Sequence, residues 1–185
     1  CSPINTYGVT KAFGEEAVEE YLKGSQQGVV LRTSWLIGPV GRNFLLTMIN
    51  LHKKNKTIRV VADQVGCPTS TINLSRVCWK IINQFSYSFP IIDEPVILHW
   101  SDSGVASWYD IAVAIGEIAE KEGLINKSAK VIPIKSKDYP TPANRPKYSL
   151  LDCSMTQDII DTTQEHWRSS LYHLIKQIKS KLNNQ

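Results

Sequence analysis

Apolar and polar positions run along the chain in two rhythms, and the switches between them lay out a series of helices and strands. Tyr7, Lys11, Gly14, Ala17, Val18, Tyr21 and Leu22 recur at helical spacing. Pro3 suits the first turn of that helix, Ser2 can cap it, and the glycine of "KGS" at 23–25 stops it. "GVVLRTSW" follows almost without alternation and is rich in β-branched residues, which predicts a short strand buried on both faces. After the loop "IGPVGRN", Asn43 caps a helix through "FLLTMINLHKKN", and "TIRVV" makes a second strand. The loop "ADQVGCPTST" leads to a helix over "INLSRVCWKIINQF", a linker "SYSFPIIDEP", and a third strand, "VILHW", that ends in polar "SDSG".

Ser107 and Asp110 fit the start of a capped helix over "WYDIAVAIGEIAEKEG", and "KVIPI" is a fourth strand. "KSKDYPTPANRPKYS" carries three prolines and is expected to be irregular. An amphipathic helix near "TQEHWRSSLYHLIKQIKSKL" ends the pattern. Strands alternating with helices predict an α/β fold with a mostly parallel sheet.

Composition narrows the function classes. The 185 residues suffice for one domain or slightly more, with an ordinary 42% hydrophobic and 21% charged share. No apolar run approaches the roughly 20 residues that cross a bilayer. Glu15, Glu16, Glu19 and Glu20 interrupt any signal-peptide layout, so a cytoplasmic protein without a membrane partner is expected. Glu15 and Glu16 are expected on a solvated helix face. The net charge of +4 is spread out, and "HKKNK" at 52–56 resembles the polar end of a helix, so nucleic acid is not an expected partner. Four scattered cysteines, Cys1, Cys67, Cys78 and Cys153, suggest reduced thiols with no metal site.

The candidate chemistry stands at the start. Tyr7 and Lys11 are four apart, so a helix places them on one face with Cβ atoms about 5–6 Å apart. A phenol, with an ordinary pKa near 10, is a poor acid at neutral pH until a nearby cation favours its phenolate. Such a phenol can protonate a carbonyl oxygen as a hydride reaches the carbon. A chance Tyr–Lys pair on a helix is equally natural from these two residues alone. No glycine-rich turn of the G-x-x-G-x-x-G kind, which brings backbone amides to a pyrophosphate, occurs in the sequence. That half is expected before Cys1, and the chain reads as a piece of a longer protein.

The surroundings of the pair are more specific. "SPINTYGVTKAFGEEAV" resembles the active-site helix of extended short-chain dehydrogenase/reductases, with their S-P-x-x-x-Y-G-x-[ST]-K-x-x-G-E pattern. "LRTSWLIGPVGRNFLLTMI", "DQVGCPTS" and "YPTPANRPKYSLLD" resemble, in order, elements of one branch, the dTDP-4-dehydrorhamnose reductases. The resemblance implies the C-terminal portion of a Rossmann-like doubly wound parallel sheet plus a smaller substrate-binding lobe. It places the end of the dinucleotide-binding domain at 1–62, a returning helix and strand at about 71–100, and the lobe at about 101–185.

It further implies NADPH-dependent reduction of the C4 keto group of a dTDP-4-keto-6-deoxy sugar, giving dTDP-L-rhamnose for surface polysaccharide; some members also use NADH. Tyr7 would be the proton donor. Lys11 would stabilise its phenolate and, with Tyr7, hold the cofactor's nicotinamide ribose. Trp35, Gln64, Thr69 and Arg145 would bind the dTDP-sugar, Trp35 packing on the sugar and Arg145 meeting the diphosphate. Pro68 lies in the same loop as Gln64 and Thr69, where a turn-forming role for Gly66–Pro68 is equally natural. Surface arginine and buried strand tryptophan stay open as plainer readings, and His99 is expected to be structural. "LIGP" stands where many relatives have a tyrosine before the glycine. A third catalytic group, Ser or Thr, lies upstream of the tyrosine in the family. The isolated chain is therefore expected to be inactive. A non-catalytic binding subunit, as in the regulatory subunit of methionine adenosyltransferase, and an inactive remnant stay open, as does a homodimer.

Overall fold

The computed structural model describes residues 2–24, 28–87, 96–141 and 144–183. Helix α1 (Thr6–Leu22) leads into β1 (Val29–Thr33) and the two-residue strand β2 (Leu36–Ile37). Helix α2 (Phe44–Lys54), β3 (Thr57–Val61), β4 (Val65–Gly66), β5 (Thr69–Ser70) and α3 (Thr71–Tyr87) follow. Then come β6 (Val96–Trp100), β7 (Ala106–Ser107), α4 (Trp108–Lys121), β8 (Lys130–Ile134), α5 (Ser154–Ile160) and α6 (Trp167–Asn183).

The strands pair two by two, three pairs parallel and one antiparallel. β1 lies parallel to β6, from Val29 opposite Val96 to Thr33 opposite Trp100. β3 lies parallel to β8 in the same way, Thr57 to Val61 opposite Lys130 to Ile134. β2 and β5 are parallel, with Leu36 opposite Thr69. β4 and β7 run antiparallel, Gly66 facing Ala106. The α/β class with parallel pairing is the architecture the alternation predicts, and each of its four longer strands forms.

Two apolar clusters hold the elements. In the larger, Leu45, Met48 and Ile49 of α2 and Ile58 and Val60 of β3 meet Ile111, Ile115 and Ile118 of α4 and Leu171, Leu174 and Ile175 of α6. The buried positions of α6, Trp167, Ser170, Leu171, Leu174, Ile175 and Ile178, keep the helical period that its sequence shows. The smaller cluster joins Leu98 and Trp100 of β6, Val77 and Ile81 of α3 and Ile160 of α5, with Val29 and Leu31 of β1 beside them. The packing thus takes α2 and β3 into the same core as α4 and α6, across residue 62.

Several local expectations are corrected. The cap of α1 is Asn5, whose side chain accepts a hydrogen bond from Gly8 N at 2.8 Å, so Ser2 and Pro3 lie ahead of the helix. α1 buries none of its residues, and Tyr7, Phe13 and Tyr21 stay exposed. Glu15 is not merely solvated: Arg32 of β1 donates to both of its oxygens, Nε at 2.7 Å, which draws the Glu15 carboxyl below its ordinary range. β1 is half-buried at all five positions rather than enclosed, because β6 is its one strand partner among the described residues. A 3-10 turn, Ser136–Asp138, interrupts the proline-rich stretch, and α5 carries too short an apolar pattern to be seen in sequence. α3 runs on to Tyr87; most of the expected linker (88–95) and Cys1 lie outside the described residues. No helix among the described residues is long and apolar enough to cross a membrane.

Candidate functional site

Four chain segments converge beyond the carboxyl ends of the parallel strands, where open α/β sheets bind ligands. They are 34–38 after β1, 62–70 after β3, 101–107 after β6, and 135–141 with 144–149 after β8. Backbone bonds lace them together. Thr69 N donates to Trp35 O at 3.2 Å, Val65 N to Lys147 O at 2.8 Å and Ser149 N to Val65 O at 2.9 Å. The start of α1 joins the same place, since Asn5 Nδ2 donates to Asn144 O at 2.8 Å. The helix carrying Tyr7 is thereby tied to the loop carrying Arg145.

Tyr7 and Lys11 share one face of α1, with Lys11 Nζ 5.5 Å from the centre of the Tyr7 ring. Tyr7 is 70% exposed and Lys11 is exposed. Among the described residues, no hydrogen bond or ion pair occupies the phenol hydroxyl or the ammonium. Both groups are open to a ligand approaching α1.

The remaining candidates have distinct surroundings. Trp35 follows β1 with a left-handed backbone, φ 47°, and its ring stacks on Trp108 at 3.9 Å between centroids and 16° between planes. Phe44 leans on Trp108 at 4.6 Å. All three rings are partly exposed. Gln64 Nε2 donates to Ser136 Oγ at 3.0 Å, and that hydroxyl donates to Asp63 at 2.6 Å, holding the Asp63 carboxyl below its ordinary range. Gln64 is thus pinned at the rim between the β3 and β8 loops. Thr69 is fully buried, and its hydroxyl donates to Ser34 O at 2.6 Å. Its contribution is to hold the segment that carries Trp35. Pro68 is buried beside it, and Arg145 is exposed on its loop.

Beneath the loops lies a polar anchor that no sequence motif marks. Asp102, 2% exposed, accepts Ser70 N at 3.1 Å and Asn73 Nδ2 at 3.2 Å. The same amide donates to Glu165 at 3.2 Å and to Ser170 at 2.9 Å. Burial raises the Asp102 carboxyl above its ordinary range. Cys67 donates its thiol to Asp102 O at 2.9 Å, and burial pushes that thiol up to about 12, so it is inert. At His99 the backbone N–H donates to the Thr156 hydroxyl, which in turn donates to the His99 carbonyl, tying β6 to α5. No group of three or more His, Cys, Asp or Glu among the described residues could hold a metal ion.

Comparison with known proteins bears on what binds here. A family model described as "RmlD substrate binding domain" matches residues 1–180. A dTDP-4-dehydrorhamnose reductase of Aggregatibacter actinomycetemcomitans is 34% identical over 175 residues, which is 93% of this chain and 57% of that protein. The crystal structure of a dTDP-4-dehydrorhamnose reductase from Clostridium acetobutylicum superposes with a TM-score of 0.81 at 36% identity, covering 96% of this chain and 57% of that one. A Bacillus anthracis dTDP-4-dehydrorhamnose reductase in complex with NADP gives 0.79 at 32% identity, over 95% of this chain and 56% of that one. The chain therefore spans a little over half the length of the relatives it matches.

Proposed function

Because the chain belongs to the dTDP-4-dehydrorhamnose reductase family, its sequence matching the RmlD substrate binding domain over residues 1–180, we propose that it supplies the acid and the substrate pocket of an NADPH-dependent sugar-nucleotide reductase. The substrate is a dTDP-4-keto-6-deoxy sugar and the product dTDP-L-rhamnose. One observation carries the reading: the helix bearing Tyr7 and Lys11 is bonded through Asn5 to the loop that bears Arg145. A proton donor and a diphosphate-binding arginine are thereby held in one assembly.

In this reading NADPH, when bound, supplies the hydride that reaches C4. The exposed face of α1 suits it, since both the Tyr7 hydroxyl and the Lys11 ammonium are open to a ribose. The Tyr7 hydroxyl gives its proton to the C4 oxygen as that oxygen gains charge, so that ketone, hydride and proton sum to the alcohol. Lys11, one turn away, stabilises the phenolate left behind and donates to the ribose hydroxyls. Trp35 gives the sugar an apolar wall. Gln64 lines the rim, Thr69 holds Trp35's segment in place, and Arg145 pairs with the diphosphate through its planar fork.

The domain division proposed with it keeps 1–62, with the returning helix and strand at about 71–100, in the dinucleotide-binding part and about 101–185 as the substrate lobe. The larger core joins α2 and β3 of the first to α4 and α6 of the second. By itself the 185-residue chain gives no turnover, since it contains no glycine-rich phosphate turn. The test is NADPH oxidation with dTDP-4-dehydrorhamnose. The isolated chain is expected to be silent. Turnover by the isolated chain would overturn that part of the reading.

A further inference from the structure

We infer that Trp108 and Gly66 are positioning residues for sugar recognition: together they lock the Trp35 indole into the single orientation in which it can wall the pocket. The inference rests on the reading of this site as a dTDP-sugar pocket and names the parts that make its aromatic wall rigid.

Trp35 stands in a backbone conformation that a bulky side chain rarely adopts, with φ 47°. Such a conformation is strained and persists only where the surroundings over-determine it. The surroundings here do so from three sides. Its carbonyl accepts Thr69 N at 3.2 Å, the preceding carbonyl accepts the Thr69 hydroxyl at 2.6 Å, and Ser34 Oγ donates to Cys67 O at 3.1 Å. The ring lies flat on Trp108 at 3.9 Å, which covers one indole face. Its benzo edge lies over Gly66, where a Cβ would come within 2.8 Å of Trp35 Cζ2, 2.9 Å of Cε2 and 2.7 Å of Ser149 Oγ. A rigid bicyclic ring cannot yield to such a contact by bending, so only glycine fits.

Trp108 and Gly66 are also fixed relative to each other. Gly66 and Val65 pair with Ala106 and Ser107 across the β4–β7 ladder, and Trp108 follows Ser107 directly. Ser107 is the cap of α4: its hydroxyl accepts Asp110 N at 3.2 Å, while Asp110 accepts Ser107 N at 2.8 Å. Ladder and capping box together aim the Trp108 ring, and Phe44 backs it from α2. With one face covered by Trp108 and an edge over Gly66, the accessible surface of Trp35 is set by these two partners. A sugar ring that packs there meets a surface already ordered before it arrives, which removes an ordering cost from binding.

The experiment is a titration of the 185-residue chain with dTDP-L-rhamnose and, separately, with dTDP, by calorimetry. It compares the native chain with Trp108→Ala, Trp108→Phe and Gly66→Ala, each checked for a cooperative thermal transition. Trp108→Ala and Gly66→Ala are expected to weaken dTDP-L-rhamnose binding by about three- to tenfold, the scale of one aromatic contact. Binding of dTDP should stay unchanged, and Trp108→Phe should recover most of the loss. A merely structural role would weaken both ligands alike, and that result overturns the inference, as does unchanged sugar-nucleotide binding in Trp108→Ala. A second readout covers a variant that fails to fold. Stacked indoles couple in the near-ultraviolet circular dichroism, so Trp35→Phe and Trp108→Phe should each abolish the same signal, and a signal surviving in either one contradicts the stack. A native chain that binds no dTDP-L-rhamnose at all sinks the reading of the pocket itself.

Discussion

At the scale of single residues, a buried imidazole shows how tightly the larger core is specified. His52 lies in the last turn of α2 with its ring inside the protein, accepting Ala129 N at Nδ1 (3.0 Å), so that Nε2 carries the hydrogen that Ala112 O accepts at 3.0 Å. Gly116 lies against the ring: a Cβ there would fall 2.6 Å from His52 Cε1, and the ring is bonded on both sides and cannot turn away. Gly116→Ala is expected to cost about 1–3 kcal/mol in urea unfolding, the usual penalty of overpacking. Burial pushes His52 below the ordinary imidazole value. The folded state then binds the proton less well than the unfolded one, so this contribution is complete above about pH 6.5 and is lost as pH falls below it. His52→Gln should flatten that part of the stability–pH curve; an unchanged slope would contradict the assignment. Neither contact is legible in sequence, because nothing in "LHKKN" or "AIGEIAE" says that residues 52 and 116 meet.

At the scale of elements, legibility followed locality. Caps written within four residues were readable: Asn43 accepts Leu46 N, and Ser107 with Asp110 closes its box. Ser107→Ala should therefore lower stability by about 1 kcal/mol, read as a shift in denaturation midpoint. Placement of α1 was not readable, since it depends on partners far along the chain. That helix buries no residue and is tied to the rest through Glu15 to Arg32 and Asn5 to Asn144. Glu15→Gln is expected to speed amide hydrogen exchange throughout α1 while leaving α4 and α6 protected. Equal protection of α1 in the variant would show that the ion pair does not anchor it. The two-residue strands escaped sequence reading for the same reason. β2, β4, β5 and β7 are too short for any period and exist only because long-range partners align them.

At the scale of the whole molecule, the motifs that name the family fall on the convergent loops and on α1, while the bonds that assemble them fall elsewhere. Trp35, Gln64 and Arg145 were identifiable as candidates because their segments resemble a family pattern. Trp108, which fixes Trp35, was visible only as the first residue of a helix. Thr69 fell in a matching segment, yet the fold uses its hydroxyl internally, at Ser34 O. The central claim concerns Tyr7, and one experiment reaches it directly. The 185-residue chain is joined to the part of the Clostridium acetobutylicum reductase that the superposition leaves uncovered, and NADPH oxidation is followed with dTDP-4-dehydrorhamnose. The account predicts turnover by this chimera and, for Tyr7→Phe, a loss of about a hundredfold or more at an unchanged melting temperature, the range for removal of a general acid. Equal turnover by the Tyr7→Phe chimera would contradict it.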